Sequence, residues 1–343
     1  MKMKLFSSTN ILSAYFVLLL ASSVSAQGPG RAKTIFDRLS QKEGDKLTLE
    51  TDLTTIIGNK KSDVYYPGTL TTDDGKSYRI ELKARGKFRR KIAEVPPLKV
   101  KFKKKLLKEE GLDTLNEIKL VLPAYDNEFG DELIIKEYLA YKMFERMTPV
   151  SVRAHLVKLT IRDTHVEKSR KMFAILLEDE EETVARMNGK MVEQYGIPAD
   201  SLIMNQAALV SIFEYMIGNT DWDISMLRNV RLVRSPETGK ILVIPYDFDF
   251  SGLVAAPYAS PSSESGIKTV RDRFMMANGI KTEYLKRALQ GVRNLKKDLY
   301  DICRSKYLSR EASMGMTEYL DTFFLQIEEK DEVPTIFRMP ATD

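Results

Sequence analysis

The stretch 202–252 constrains the fold of this chain more than any other. Its first part repeats apolar residues at every third or fourth position, which predicts a buried helix over 202–217. Two apolar strands, predicted at 229–233 and 241–245, then flank a segment rich in turn-forming residues. Acidic residues follow both the helix and the second strand. The order helix, acid, hairpin, acid predicts a polar site at the open end of the hairpin.

The side chains at that end share one chemistry. Antiparallel pairing sets Asn229 opposite about Tyr246, so Asn229 and Asp247 leave the hairpin together. The helix delivers Asp221 to the same end, and Asp249 follows close behind. Amide and carboxylate oxygens suit a hard cation such as Mg²⁺ or Mn²⁺. The alternative is that these acids only bond the backbone of their own loops.

The amino-acid composition excludes several kinds of metal site and catalytic site. Among 343 residues there is a single cysteine, Cys303, and only two histidines, His155 and His165. A disulfide framework, a thiolate zinc cluster and a histidine-rich metal site are therefore excluded. Nothing near either histidine resembles the nucleophile of a Ser-His-Asp hydrolase. Any metal chemistry must rest on oxygen ligands.

The first 26 residues follow the pattern of a secretory signal peptide. Lys2 and Lys4 precede an apolar run at 11–21, and small residues stand before Gln27. The run is shorter than the roughly 20 residues that span a bilayer. We expect an exported protein, periplasmic, cell-surface or extracellular, with no transmembrane segment after cleavage.

The remaining chain divides into two zones. Residues 27–180 form a basic, β-rich zone, and residues 181–343 form a mainly helical zone that contains the hairpin. The first zone has predicted strands at 65–70, 78–84, 97–102, 152–161 and 172–177 and a predicted helix at 132–147. The second has predicted helices at 182–195, at 202–217 with Ser201 as N-cap, at 281–307 and at 310–329.

The basic zone contains one dense cluster of positive charge. Between residues 83 and 108 there are 12 lysines and arginines and one acid, Glu94. Apolar residues alternate with Lys99 and Lys101, which indicates a strand with one cationic face. Few aromatic residues are interleaved, so nucleic acid is not an expected partner. An anionic envelope surface remains an alternative partner.

The order of elements around the hairpin resembles the catalytic core of the protein-kinase-like superfamily. More closely, the chain resembles the spore-coat CotH kinase-like family, on GNTDW…N…IPYDFDFSG at 218–252 and on two shorter stretches at 82–102 and 172–179. The resemblance implies an α+β, two-lobed kinase-like fold with a β-rich N-lobe and a mainly helical C-lobe that carries the catalytic hairpin. It also implies ATP, Mg²⁺ or Mn²⁺, and transfer of the γ-phosphoryl group to Ser or Thr of a protein.

The resemblance assigns roles around the hairpin. Asp221 matches the catalytic acid that takes or orients the acceptor hydroxyl proton. Asn229 and Asp247 match the metal ligands, with Asp249 as a third. The spacing from Asp221 to Asn229 is longer than in the kinase pattern, and neither an HRD sequence nor a GxGxxG loop is present. Asp223 therefore stays open as the alternative acid.

The resemblance also assigns nucleotide-binding roles in the basic zone. Lys99 or Lys101 matches the strand lysine that holds the phosphates, and the two share one face. Glu137 matches the helical acid that pairs with this lysine, and its alternative is a solvated helix charge. Arg85 and Gly86 match a turn that approaches phosphate.

A second function class stays open beside the enzyme. A non-catalytic envelope or extracellular binding or structural protein could keep a kinase-like scaffold. The scarcity of ATP expected outside the cytoplasm favours this alternative. The complete set Asp221, Asn229 and Asp247 favours the enzyme.

Overall fold

Seven strands of the N-terminal half form a closed barrel. The computed structural model describes residues 31–276 and 279–328, so the predicted signal peptide lies outside the described residues. The barrel strands are β1 (Asp45–Thr51), β2 (Tyr66–Thr72), β3 (Ser77–Ala84), β4 (Leu98–Phe102), β5 (Glu117–Val121), β6 (Ala154–Asp163) and β7 (Lys168–Glu178). They run in the order β1-β2-β3-β4-β5-β7-β6, and a parallel pair of β1 and β6 closes the barrel.

The closed barrel was not predicted from the sequence, and the two-lobed kinase-like arrangement stays a prediction. Strand β1, which the sequence patterns did not predict, pairs antiparallel with β2 and parallel with β6. Its alternation puts Leu47 and Leu49 in the apolar interior of the barrel. Strand β5 was also not predicted. Four short helices and one long helix accompany the barrel: α1 (Ile35–Leu39), α2 (Leu53–Gly58), α3 (Arg89–Ile92), α4 (Lys104–Glu109) and the long α5 (Glu128–Met147).

Helix α5 is the long helix beside the barrel. It begins earlier than predicted, because the side chain of Asn127 accepts a hydrogen bond of 2.9 Å from the Gly130 N–H and caps the first turn. Its apolar side packs on β6 and β7 and on the C-terminal helices. The helix thus joins the barrel to the second half of the chain.

The second half contains a small sheet among helices. Its elements are α6 (Glu180–Arg186), β8 (Lys190–Val192), a 3₁₀ turn (Ala199–Ser201), α7 (Met204–Ile217), β9 (Val230–Arg234), β10 (Ile241–Pro245), a second 3₁₀ turn (Ser263–Ser265), α8 (Thr282–Asn294), α9 (Lys296–Cys303) and α10 (Arg310–Glu328). The sheet has the order β10-β9-β8. None of the helices within the described residues is long and apolar enough to cross a membrane.

Three helix predictions in this half differ from the structure, and one of them, at 281–307, divides at Leu295 into α8 and α9. The helix predicted at 182–195 ends at Arg186, because Asn188 takes a left-handed φ of 48° and Gly189 then packs directly against β9. The following residues form β8 instead. Ser201 belongs to the 3₁₀ turn, and α7 begins at Met204 without a side-chain cap.

The hairpin of β9 and β10 has the predicted register. Val230 pairs with Pro245, and the Tyr246 N–H donates to the Asn229 carbonyl over 3.0 Å. The α+β class is confirmed, and the described residues from Ala32 onward belong to one compact unit. The barrel ends at Glu178 and the small sheet begins at Lys190, but the division into two lobes at residue 180 stays a prediction.

Candidate functional site

The loop after α7 holds the predicted catalytic acid against the hairpin. The Asn229 side-chain N–H donates to the Asp221 carbonyl over 2.6 Å and to Asp221 Oδ2 over 2.9 Å. Trp222 is fully buried and anchors this loop in the core. Burial, together with the charge of Asp247, raises the pKa of Asp221. The structure therefore brings Asp221, Asn229 and Asp247 to one place, as the sequence predicted.

Both hairpin ends carry strained backbone. Asn229 and Asp247 have φ values of 51° and 68°, in the left-handed region that residues other than glycine rarely adopt. The Asp247 N–H donates to the buried Tyr141 hydroxyl over 2.8 Å, which ties the strand end to α5. The Asp247 side chain remains 46% exposed. Such strain is typical of residues held for function.

Three carboxylates meet beside the hairpin and form what we call the acidic cluster, Glu137, Asp247 and Asp249. One oxygen from each lies within 4.8 Å of the other two. Glu137 is 1% exposed, so its alternative as a solvated helix charge was wrong. Asn229 stays at Asp221, so the structure groups Asp247 and Asp249 with Glu137 rather than with Asn229.

Arg89 lies inside the acidic cluster. Its Nε donates to Asp249 over 3.1 Å, and its Nη2 donates to Glu137 over 3.0 Å and to Asp247 over 3.3 Å. The pairing predicted between Glu137 and Lys99 or Lys101 is therefore wrong, since Glu137 binds Arg89 instead. Sequence reasoning missed Arg89 because nothing in the dense basic cluster distinguishes it from its neighbours.

The electrostatics of the cluster follow from burial. Burial raises the pKa of Asp249 to about 8, and the charges of Asp247 and Glu137 act in the same direction while Arg89 opposes them. Burial also raises the pKa of Glu137. In turn the carboxylates, Asp249 first, raise the pKa of Arg89 well above its usual value against the effect of its own burial. Without a cation, these acids repel one another.

Four cations lie together beside the hairpin and form what we call the basic face, Arg85, Lys99, Lys119 and Arg231. Lys99 on β4 and Lys119 on β5 are cross-strand partners. Lys99 pairs with Glu117 and lies 3.6 Å from Asp179, and Arg231 from β9 is buried. The basic face therefore joins the outside of the barrel to the hairpin.

The two lysines predicted to bind phosphate, Lys99 and Lys101, lie in different surroundings. Lys99 belongs to the basic face, whereas Lys101 lies 5.4 Å from the ring centre of Tyr65 and 4.0 Å from Glu117. The Arg85 N–H donates to the Pro97 carbonyl over 2.8 Å, and the following residue, Gly86, has a φ of 85°. The charge of Asp247 acts on Arg85, so this turn lies near the acidic cluster, and its approach to phosphate stays a prediction.

Lys119 is a site residue that the sequence patterns missed. It lies on the strand directly before α5, is 5% exposed and forms an ion pair with Glu180. Burial, with the charges of Arg231 and Arg85, lowers the pKa of Lys119 well below its usual value. The sequence feature that could have identified Lys119 is its position as a lysine between the apolar residues of the strand Glu117–Val121. Anionic ligand atoms beside it would relieve the repulsion among these cations.

The donor set of the acidic cluster fits a divalent cation. It offers only carboxylate oxygens, which Mg²⁺ and Mn²⁺ prefer, and the Asn229 amide stands at the same end of the hairpin. Arg89 supplies the compensating charge there. The arrangement can hold a cation on one side and phosphate oxygens on the other.

Comparisons with known proteins found similar solved structures but no similar sequence. No protein-family model matches the sequence, and no curated protein matches it. The crystal structure of the Helicobacter pylori proinflammatory kinase CtkA is similar to this chain with a TM-score of 0.35 and 9% identity, over 64% of this chain and 89% of that one.

Proposed function

We propose that this protein is an exported, metal-dependent kinase of CotH-like type that transfers the ATP γ-phosphoryl group to Ser or Thr of a protein. The observation that carries the proposal is the convergence of Asp221, Asn229 and Asp247 beside the basic face. Phosphoryl transfer needs positioning and charge neutralisation more than covalent chemistry. A site with an acid for the acceptor, oxygen ligands and a cationic side provides both.

Each side of the site has a separate role in this proposal. Asp247 and Asp249, with Asn229 or Glu137, would hold the Mg²⁺ or Mn²⁺. When bound, such an ion neutralises negative charge on the nucleotide phosphates. Asp221 orients the acceptor hydroxyl and accepts its proton, and its raised pKa favours proton uptake.

The basic face would bind the phosphates. Protein kinases carry the phosphate-binding lysine on the third strand of the N-lobe and its acidic partner on the helix αC. Lys119 lies on the strand directly before α5, which carries Glu137. Its place makes Lys119 a stronger candidate than Lys101, with Lys99 beside it. Arg85 from the turn after β3 adds a further cation.

Export is the remaining part of the proposal. It rests on the charge and apolar pattern of residues 1–26. The CotH-like assignment rests on the motif residues at 218–252 together with the geometry of the hairpin end.

One observation favours the alternative function, a non-catalytic envelope or extracellular binding protein. The Arg89 guanidinium already contacts all three carboxylates of the acidic cluster. A permanent arginine there would compensate the acids without any metal ion. In that case the scaffold would keep its stability and lose its metal dependence.

Metal-dependent nucleotide binding tests the proposal. We expect ATP with Mn²⁺ to raise the melting temperature of the wild type and not of Asp247→Ala, because ligand binding to the native state stabilises it. Asp247 is half exposed, so its removal should leave the fold intact. Asp301→Ala is the matched control, since Asp301 is 43% exposed on α9, away from the site.

Phosphoryl transfer is measured in the same samples with labelled ATP. Equal stabilisation of wild type and Asp247→Ala would contradict the assigned metal site. Nucleotide binding without any transfer to the protein itself or to Ser-containing peptides would favour the non-catalytic alternative.

A further inference from the structure

A group of five aromatic rings lies at the mouth of the site. We call it the aromatic patch, and its members are Phe88, Tyr125, Phe129, Phe250 and Tyr258. Ring centres of Phe88 and Phe250 are 5.2 Å apart, and Phe88 and Tyr258 are 5.8 Å apart. Tyr125 then connects Tyr258 to Phe129 through centre distances of 6.3 and 6.0 Å. The rings thus form a continuous surface rather than isolated side chains.

The aromatic patch is exposed at two of its members. Phe88 is 43% exposed and Phe129 is 47% exposed, and the neighbouring Ile92 is 42% exposed. Single exposed apolar residues are ordinary, but a contiguous exposed group usually marks an interaction site. Aromatic side chains are also enriched where binding energy concentrates.

The patch is joined directly to the acidic cluster. The Tyr258 hydroxyl donates to Asp249 Oδ2 over 3.0 Å. Phe88 is followed in the chain by Arg89, whose guanidinium lies inside the cluster. A ligand bound on the rings is therefore held at the edge of the acidic cluster, where an acceptor segment has to lie.

Positive charge flanks the Phe88 end of the patch, whereas the exposed Glu128 precedes Phe129 at the other end. Lys87, Arg90 and Lys91 flank Phe88 in the same loop, and within residues 31–276 and 279–328 no acidic side chain pairs with them. The acid of this loop, Glu94, accepts a hydrogen bond from the Asp126 N–H. The charge beside Phe88 therefore favours a negatively charged partner at that end of the patch.

From these contacts we infer that the aromatic patch and its flanking cations bind an acidic peptide segment with a bulky apolar side chain, as part of the acceptor protein. The apolar side chain packs on Phe88, and the acidic residues face Lys87 and Lys91. The identification of this peptide as the phosphoryl acceptor rests on the proposed function, but the binding itself needs neither ATP nor metal. It names a substrate class for the site: acidic Ser- or Thr-containing segments with a nearby aromatic or large aliphatic residue.

Binding is tested without nucleotide, on the mature protein. The probe is a fluorescein-labelled 12-residue peptide of Ser and Glu with one central Phe, and its affinity is measured by fluorescence anisotropy. We expect Phe88→Ala to weaken binding about tenfold, as truncation of an aromatic anchor does. The double variant Lys87→Glu/Lys91→Glu should weaken it at least as much, and added salt should weaken wild-type binding.

Matched controls use exposed residues elsewhere. Leu325→Ala removes an apolar side chain that is 58% exposed on α10, and Lys105→Glu reverses an exposed charge on α4. Neither should change the affinity. A peptide with Lys in place of Glu, and one with Ala in place of Phe, should bind more weakly than the probe. Melting temperatures of all variants confirm that the fold is retained.

Other outcomes overturn the inference. Equal affinity of Phe88→Ala and wild type, or no preference for the acidic peptide, removes the peptide site. Phe88-dependent binding to vesicles of anionic lipid in place of the peptide assigns the patch to a membrane surface. Phe88-dependent self-association in sedimentation assigns it to a second copy. If the peptide binds and no phosphoryl transfer is found, the result supports the aromatic patch as a peptide-binding surface and contradicts the proposed kinase activity.

Discussion

The acidic cluster and the basic face differ in how their charges are compensated. In the cluster, three carboxylates share one guanidinium, that of Arg89. On the basic face, three of the four cations form ion pairs with three acids within the described residues, Glu117, Asp179 and Glu180, and the charge of Asp247 acts on Arg85. One side of the site therefore keeps an excess of negative charge and the other an excess of positive charge.

The comparison shows what kind of ligand suits the site. A free cation would satisfy only the acidic cluster, and a free anion only the basic face. A cation bound to phosphate oxygens satisfies both sides at once. The cluster also differs in being able to persist without a ligand, because Arg89 is built into it.

The largest effect is expected at Arg89. Replacing it as Arg89→Met removes the cation from three buried or half-buried acids, and the free energy of unfolding should fall by about 3–5 kcal/mol. Chemical denaturation in the presence of a chelator measures this. The adjacent Arg90→Met should change stability by no more than about 0.5 kcal/mol. An unchanged stability of Arg89→Met would show that the acids do not depend on the guanidinium.

The pH dependence of the same variant sharpens the comparison. Burial raises the pKa values of Asp249 and Glu137 in the folded protein above those of the unfolded chain. The folded state then binds more protons between pH about 4 and about 8, so its stability falls as pH rises through that range. We expect this slope to be steeper in Arg89→Met than in wild type. Added Mn²⁺ should restore stability at the upper end of the range.

The next effect concerns Asp221, the acid proposed to orient the acceptor hydroxyl. Asp221→Asn should keep ATP affinity and lose phosphoryl transfer by about 10²-fold or more, as for a positioned acid or base. Asp223→Asn should be mild, since the Asp223 carboxylate accepts a hydrogen bond of 2.6 Å from the Met226 N–H within its own loop. Steady-state kinetics of both variants compare them. Loss of transfer in Asp223→Asn alone would reassign the acid.

The smallest effect tests the basic face. Lys119→Met should weaken ATP binding by about tenfold, the loss of roughly one charge-assisted contact. Lys101→Met should leave it nearly unchanged, because Lys101 lies over the Tyr65 ring outside the basic face. Isothermal titration with ATP and Mn²⁺ measures both affinities. A larger loss of ATP affinity in Lys101→Met than in Lys119→Met would place the phosphate-binding site at Lys101 on β4 instead.

Local patterns in the sequence were sufficient to predict which residues meet at the hairpin end of the site. Asp221, Asn229 and Asp247 lie within 27 positions of one another, and the antiparallel register alone brings the strand ends together. The helices 132–147 and 202–217 were also found, since their apolar periodicity is long. Strand β8 was missed because a left-handed residue and a closely packed glycine ended the helix early.

By itself, the sequence determined the oxygen-based chemistry, the α+β class and the convergence of acids on the hairpin, because composition and short-range spacing are properties of the chain. Only the tertiary structure decided that the sheet closes through β1 and β6 and that Arg89 enters the acidic cluster. The hydrogen bonds from Arg89 to Glu137 and to Asp249 span 48 and 160 positions. Among many similar lysines and arginines, burial selected Arg89 and Lys119, and burial depends on how distant segments pack.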